Sequence, residues 1–440
     1  MGMREMKDSG IEWIGQIPKD WKCCKVKYST SFVGSGTTPT SSNQDFYDGD
    51  INWIQSGDLY KTVVVDTVEK KLTEKALKSF SALHIYQAPF IIMAMYGASV
   101  GNTAFSKIDA CCNQACCCIK NNESFNLKFM FYWLDFAQID FLGRAIGGTQ
   151  PNISQDKIKN QYIVKPSLEE QQQIADYLDT QCSEIDATAE DIQKEISLLE
   201  DYKKSVITEA VTKGLNPDAE MKDSGIAWIG DINQKASLCR LKFFSYMKGR
   251  IGWQGLKSED FIDNGPYCVT GTDFINGKIN WDTCYHVSEE RYKMDSNIQL
   301  KIGDLLVTKD GTIGKLAKVT ELPEKACLNS HLLIIRPLNE RFTNEYLYYV
   351  ISSDVFVRYY KYSSTGSTME SLSQEKLGNF IFPVYDLLSQ QQIVDYLDSQ
   401  CSEIDAIIAD KKRQLDILAE YKKSLIYEYV TGKKEVPVHE

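Results

Sequence analysis

The sequence predicts an α+β protein in which two domains of similar fold are held apart by two long helices. Those helices are expected to form an intramolecular antiparallel coiled coil, and the whole to carry a pseudo-twofold internal repeat. Three observations predict this. Residues 171–187 (QQQIADYLDTQCSEIDA) recur at 390–406 (QQQIVDYLDSQCSEIDA), identical at 15 of 17 positions. EMKDSGIEWIGQI at 5–17 recurs as EMKDSGIAWIGDI at 220–232, identical at 11 of 13. The offsets are 219 and 215 in a chain of 440 residues, so a unit of about half the chain occurs in tandem. Between the repeated pieces the two halves are far less alike. A constant frame around variable inserts is the pattern of a scaffold that carries two different readers.

Four blocks follow in order. Residues 1–166 mix short apolar runs (INWIQSGDLY, TVVVDTV, APFIIMAMYGASVGN, QYIVKP) with Gly, Asn, Ser and Thr turns. They read as short strands, with one helix near 126–142. Residues 167–219 hold the first long helix and a linker. Its apolar seam runs Ile185, Ala189, Ile192, Ile196, Leu199, Lys203, Val206 and Ala210, at alternating spacings of four and three. Leu178, Leu198 and Ile207 flank it. Lys213-Gly214 ends the helix, and Leu-Asn-Pro217 follows. Residues 220–385 repeat the α+β pattern (YCVTGTDF, GDLLVTKDGTIGKLAKV, HLLIIRP, NFIFPVY), with a helix near 343–360. Residues 386–440 hold the second long helix and a tail. Its seam is Ile404, Ile408, Lys411, Leu415, Leu418, Lys422, Leu425 and Tyr429, flanked by Leu397, Ile407, Ile417 and Ile426. About 45 helical residues span on the order of 65–70 Å. Both inserts also end alike: a Gly/Ser/Thr loop (147–154 and 364–373), a short helical segment, an apolar strand, then Pro.

The charge is unevenly placed. Net charge is −11, yet 167–213 hold 12 acids against 4 bases and 386–431 hold 9 against 5. Residues 20–165 carry 15 bases and 13 acids, and 231–385 carry 19 and 18. The inserts are therefore near neutral and the helices acidic, so whole-chain charge does not exclude a local nucleic-acid face. It does argue that partners help hold any nucleic acid. There is no apolar run of 18 residues and no apolar leader, so the chain is expected in the cytoplasm. Thirteen cysteines suit a reducing compartment. Cys111, Cys112, Cys116, Cys117 and Cys118 crowd eight residues with no His nearby. Strand neighbours point to opposite faces, so these thiols are expected in a buried strand and not around a metal.

Motifs for catalysis are missing. There is no Asn/Asp-Pro-Pro-aromatic pocket for methyl transfer and no GxxxxGK[ST] loop for phosphate. Gly311-Thr-Ile-Gly314-Lys315 has the wrong spacing for one and reads as a turn between strands. Pro217-Asp218…Glu220-Met-Lys222 is contiguous in a linker, whereas metal-dependent nuclease chemistry needs carboxylates converging from separate strands. The four histidines are scattered, without a nucleophile partner.

The repeated EMKDSGI.WIG.I segment, the Gly-Leu-Asn-Pro-Asp junction (214–218), and QQQI.DYLD.QCSEIDA followed by Tyr-Lys-Lys-Ser (202–205, 421–424) carry a resemblance. With Ser35-Gly-Thr-Thr-Pro39, Gly49-Asp-Ile-Asn-Trp53, Ala94-Met-Tyr-Gly97-Ala, Asn113-Gln-Ala, Gly303-Asp-Leu-Leu and Gly311-Thr-Ile-Gly, nearly the whole chain resembles the DNA-specificity subunit of type I restriction–modification enzymes. The resemblance implies that 1–166 and 220–385 are target-recognition domains, each reading one half of a bipartite, asymmetric duplex site. It implies that the helices act as a ruler and dock two methyltransferase subunits. Those subunits would hold S-adenosylmethionine, and restriction/translocase subunits would join for cleavage. This chain would carry no catalysis, no cofactor and no metal.

Base readout needs polar side chains presented at the major groove. The candidates are Thr37, Thr38, Ser56, Tyr96, Thr149 and Gln150 in the first domain. In the second they are Lys248, Arg250, Trp253, Gln254, Lys309, Ser367 and Thr368. Arg250 is the strongest local cue, because Arg is the commonest partner of guanine. The second domain departs from the first where Pro18 and Trp21 become Asn233 and Ala236, which predicts a different approach to its core. A rival reading, a protein-interaction scaffold without a DNA role, fits the helices equally well and the Gly/Ser/Thr-rich, aromatic inserts less well.

Overall fold

The computed structural model describes residues 4–60, 63–143, 152–250, 256–364 and 371–437. The chain forms two compact units that do not follow chain order: Met1–Ile192 with Arg413–Glu440, and Gln193–Lys412. Each unit therefore owns one insert and a stretch of both long helices.

In the first unit, Met6–Asp8 and Gln16–Pro18 make an antiparallel hairpin. Its loop is set by chemistry local to the repeat: the Asp8 carboxylate accepts from Gly10 N, and Gly10 and Gly15 adopt φ of 73° and 69°. Lys22–Lys25 then pairs with the distant Tyr162–Lys165. The main sheet has the order Thr30–Ser35, Cys116–Asn121, Phe90–Ala94, Thr103–Ser106, Val64–Val65, antiparallel except for the last pair. A smaller sheet joins Cys111–Cys112, Tyr47–Ile54 and Lys71–Leu72, the first pair parallel. Helix Leu127–Phe136 starts at Asn126, whose side chain accepts from Lys128 N and Phe129 N. Strand alternation distributes the clustered cysteines among separate apolar cores. Cys117 faces Ile91, Met93 and Phe129; Cys112, Cys116 and Cys118 face Ile54, Phe90 and Ile92; Cys111 joins Trp53 and Leu72.

The second unit repeats this plan. Met221–Asp223 pairs with Asp231–Asn233, and Ser237–Arg240 with Ile381–Val384. Its main sheet runs Ser245–Gly249, Leu332–Pro337, Leu305–Thr308, Leu316–Lys318, Lys278–Ile279, Phe274–Ile275. The smaller sheet is Tyr285–Val287, Phe261–Val269, Ala326–Leu328. The Gly311–Gly314 segment is the turn between antiparallel Leu305–Thr308 and Leu316–Lys318, with φ of 70° and 80° at its two glycines.

The long helices are Leu168–Lys213 and Leu387–Val430, of 46 and 44 residues. They pair antiparallel within each unit. In the first, Tyr177 meets Tyr429 at 4.6 Å between ring centres and Lys422 Nζ meets Asp186 at 2.7 Å, so one number rises as the other falls. In the second, Lys411 meets Glu195 at 2.5 Å and Lys203 meets Asp405 at 2.6 Å. The seam residues Ile185, Ile192, Ile196, Val206, Ala210, Ile404, Ile408, Leu425 and Tyr429 are buried. Of the flanking set, Leu178, Ile207, Leu397 and Ile426 are buried, whereas Leu198, Ile407 and Ile417 face solvent. Among the described residues, no helix is long and apolar enough to cross a membrane.

Candidate nucleic-acid interface

Each unit gathers polar loops at the ends of the same strands. In the first, the loop after Thr30–Ser35 turns at Gly36, where an added Cβ would lie 1.8 Å from the Cys112 carbonyl oxygen. Only glycine permits that approach, and it carries Thr37, Thr38 and Pro39 across the end of Cys111–Cys112. There Thr38 Oγ1 donates to Gln114 Oε1 at 2.6 Å. Gln155 Nε2 donates to Ser35 Oγ at 2.8 Å, and Tyr96 makes a β-bridge with Asn152. Thr38, Tyr96 and Gln114 are exposed; Thr37 and Ser56 are half-buried. Ser56 opens the turn Ser56–Leu59 just beyond the strand that pairs with Cys111–Cys112, so it lies toward the same end. Thr149 and Gln150 lie outside the described residues.

The second unit uses the same main-chain frame. Met95 receives Ile153 N at its carbonyl (2.9 Å) and donates to Ala115 O (2.7 Å). Lys309 receives Leu372 N (2.8 Å) and donates to His331 O (2.9 Å). Asn113 N bonds Ile54 O (3.0 Å) as Asn329 N bonds Val269 O (2.9 Å). The side chains on this shared frame differ. Met95, Tyr96, Gln114 and Ala115 of the first unit correspond to Lys309, Asp310, Ser330 and His331 of the second. His331 Nδ1 lies 3.3 Å from Asp310 Oδ2, and Lys315 Nζ donates to Gly271 O at 3.1 Å. Lys248 and Lys309 are half-buried at this end. Trp253, Gln254, Ser367 and Thr368 lie outside the described residues.

Arg250 departs from expectation. It is 3% exposed, its Nε donates to Leu328 O at 2.9 Å, and an Nη reaches Cys327 Sγ at 3.4 Å. Cys327 is held below the ordinary thiol range, first by a hydrogen bond from Cys268 and then by the Arg250 charge. The Arg250 Nη1 has no hydrogen-bond partner among the described residues. Arg250 follows the strand that ends at Gly249, and its bond to the Leu328 carbonyl turns the side chain inward. Gln114 is brought to this end by the fold. It stood inside the quoted Asn113-Gln-Ala segment, yet only the long-range contact with Thr38 marks it out. Asp310, Ser330 and His331 were likewise not singled out; aligning the two copies through Asn113 and Asn329 would have found them.

A second duplicated feature lies between each insert and the helices. In the first unit, Lys128, Tyr132, Asp179, Cys182, Asp186 and Lys422 line a groove of about 430 Å³. In the second, Lys318, Tyr349, Asp398, Cys401, Asp405 and Lys203 line one of about 840 Å³. Tyr132 Oη donates to Asp179 (2.8 Å), and Tyr349 Oη donates to Asp398 likewise. The helix surface is also duplicated: Leu198 and Tyr202 are 68% and 56% exposed, and their equivalents Ile417 and Tyr421 are 60% and 52% exposed.

The family model for the type I restriction modification DNA specificity domain matches residues 18–198 and 254–416. The chain is similar to two specificity subunits of Methanocaldococcus jannaschii. It is 22% identical to that of type I restriction enzyme MjaVIII, covering 96% of this chain and 94% of that one. It is 25% identical to that of MjaIX, covering 96% and 95%. Its fold resembles a solved chain from work on complex assembly and conformational transition of the type I R-M system. The TM-score is 0.69 at 16% identity, over 95% of this chain and 99% of that chain. Two matched stretches, one per insert, over a duplicated fold place this chain in the family of type I restriction–modification DNA specificity subunits.

Proposed function

We propose that each unit reads one half of an asymmetric bipartite DNA site, and that the repeated helices recruit the partner subunits. One observation carries the first part: an equivalent main-chain frame bears Met95, Tyr96 and Gln114 in one unit and Lys309, Asp310 and Ser330 in the other. A conserved frame with different hydrogen-bonding groups is what two readers of two different sequences require. The helices are net acidic, so in this reading affinity depends on the partners.

Recruitment is supported by the duplication of the groove and of the exposed Leu198/Tyr202 and Ile417/Tyr421 pairs. Apolar side chains four residues apart on a helix, left in solvent twice at equivalent positions, suit two copies of one partner. The partner in this reading is a methyltransferase subunit that holds S-adenosylmethionine, with restriction/translocase subunits joining for cleavage. The chain works in the cytoplasm, where the DNA is. Exchanging residues 20–165 for the corresponding insert of another family member tests the reading. The assembled methyltransferase should change its first half-site and retain the second; a change in both would overturn modular reading.

A further inference from the structure

The buried Arg250 lacks a carboxylate. Its Nε bonds the Leu328 carbonyl and its Nη2 reaches Cys327 Sγ at 3.4 Å; its Nη1 has no partner, and no carboxylate pairs with it, among the described residues. An unpaired guanidinium is costly to bury. Among the described residues, the Cys327 sulfur is the group in its reach that can carry the compensating negative charge.

Cys327 is one half of a pair. Cys268 stands opposite it in the parallel register of Phe261–Val269 with Ala326–Leu328. Neighbours in register lie about 4.8 Å apart at Cα, inside the ~4.4–6.8 Å that a disulfide spans. Both side chains enter the same apolar core, with Val269, Leu306 and Ile334. The first unit supplies the contrast. Its Cys112 and Cys118 sulfurs touch at 3.4 Å. Register places Gly36 where the second unit has Arg250, because Ser35 pairs with Cys117 as Gly249 pairs with Leu333. Without a guanidinium, burial raises the Cys118 thiol well above its ordinary range. Cys327 moves the other way, lowered by Cys268 first and then by Arg250. The groups beside it stay neutral: Cys268 is raised, first by its hydrogen bond with Cys327, and burial raises Cys284 and Tyr292.

We propose that Cys268 and Cys327 are a reversible oxidation site, converted by a small hydroperoxide from a dithiol into a disulfide. With hydrogen peroxide, the Cys327 thiolate attacks one oxygen and the O–O bond breaks. Cys327 becomes a sulfenic acid, and the departing hydroxide takes a proton to become water. Cys268 Sγ then displaces the sulfenic oxygen: the S–S bond forms, the S–O bond breaks, and the Cys268 proton leaves with that oxygen as a second water. The two thiols thus lose two electrons and two protons to the peroxide. Access comes at the sheet edge. Ala326–Leu328 is an outer strand, covered by the bridge between Gln299 and Cys327 and by the Leu300 N bond to Ala326 O at 2.9 Å. Local opening of that cover admits a molecule little larger than water. Because the first unit has no counterpart of Arg250, oxidation marks the second unit alone. The inference does not depend on which bases either unit reads.

The test exposes the full, folded chain to hydrogen peroxide, alkylates the remaining thiols, and maps cross-links by mass spectrometry. A Cys268–Cys327 disulfide should form and dithiothreitol should reverse it, while Cys112 and Cys118 stay reduced. Arg250→Met, checked for folding by a thermal melt, should slow cross-linking about tenfold or more. Cys268→Ser, which keeps Arg250 and Cys327, should stop at a sulfenic acid on Cys327 that dimedone captures. No cross-link in the native chain would overturn the proposal, as would a Cys268–Cys284 disulfide in its place or equal oxidation of Cys112 and Cys118. Absence of the dimedone adduct, or a folded Arg250→Met chain that cross-links within about twofold of the native rate, would overturn it too.

Discussion

Replacing Gln114 by alanine should cost the first half-site and spare the second. Thr38 Oγ1 donates to Gln114 Oε1 at 2.6 Å, so the exposed amide is oriented before any DNA arrives. A well-placed amide contact to a base is worth about 1–3 kcal/mol of discrimination, or about 5- to 150-fold in relative affinity. Thr38→Val removes only the orienting bond, at about 0.5–1.5 kcal/mol, or about 2- to 12-fold. If Thr38 acts through Gln114, the two losses do not add. Thr38→Val in a Gln114→Ala background should change affinity by less than about twofold. The assay is competition binding by the chain with its methyltransferase partner at one fixed salt concentration, comparing correct and scrambled first halves. Additive losses would refute the orienting role and return Thr38 to direct contact. Equal losses on correct and scrambled halves would refute base reading by Gln114.

Arg250→Ala should destabilise the second unit by about 1–3 kcal/mol, because it orphans the buried Leu328 carbonyl; thermal melts of the chain check this. DNA binding should then weaken equally for correct and scrambled second halves, and a selective loss on the correct half would restore Arg250 as a reader. Leu198→Ser with Ile417→Ser should leave the melting temperature within about 2 °C, as surface changes do, while abolishing co-purification of the methyltransferase. Retained assembly would move recruitment elsewhere. Burial raises the Cys23 and Cys24 thiols and pushes Cys111 and Cys117 up to about 12, but only the first pair is solvent-accessible, so at pH 8 a thiol reagent should label Cys23 and Cys24 slowly in the native chain and leave the buried strand cysteines Cys111–Cys118 unmodified. Fast labelling of the strand cysteines would contradict their burial.

The architecture was legible because its determinants are local and written twice. QQQI.DYLD.QCSEIDA carries its own heptad, and EMKDSGI.WIG.I carries the Asp8 and glycine chemistry of its hairpin. The seam was readable, but the flank was not. Leu178 and Leu397 lie one heptad before Ile185 and Ile404 and are buried, whereas Leu198 and Ile417 fall between seam positions and face solvent. The division of both long helices between the two units is set by antiparallel pairing of segments some 200 residues apart, which no local pattern encodes. The candidate interface was half legible. Glycines located the loops through Gly36 and Gly311, whose close approach and positive φ leave a trace in composition. Which side chains emerge from those loops depends on long-range contacts: Arg250, just past the strand end at Gly249, is buried by its bond to the Leu328 carbonyl 78 residues away.

The central claim is that two unlike readers stand on one duplicated frame. Methylome sequencing of a host expressing this chain with its methyltransferase tests it most directly. The account predicts one asymmetric motif of two different half-sites separated by a fixed run of unspecified bases. A continuous motif, or a palindrome with identical halves, would contradict it.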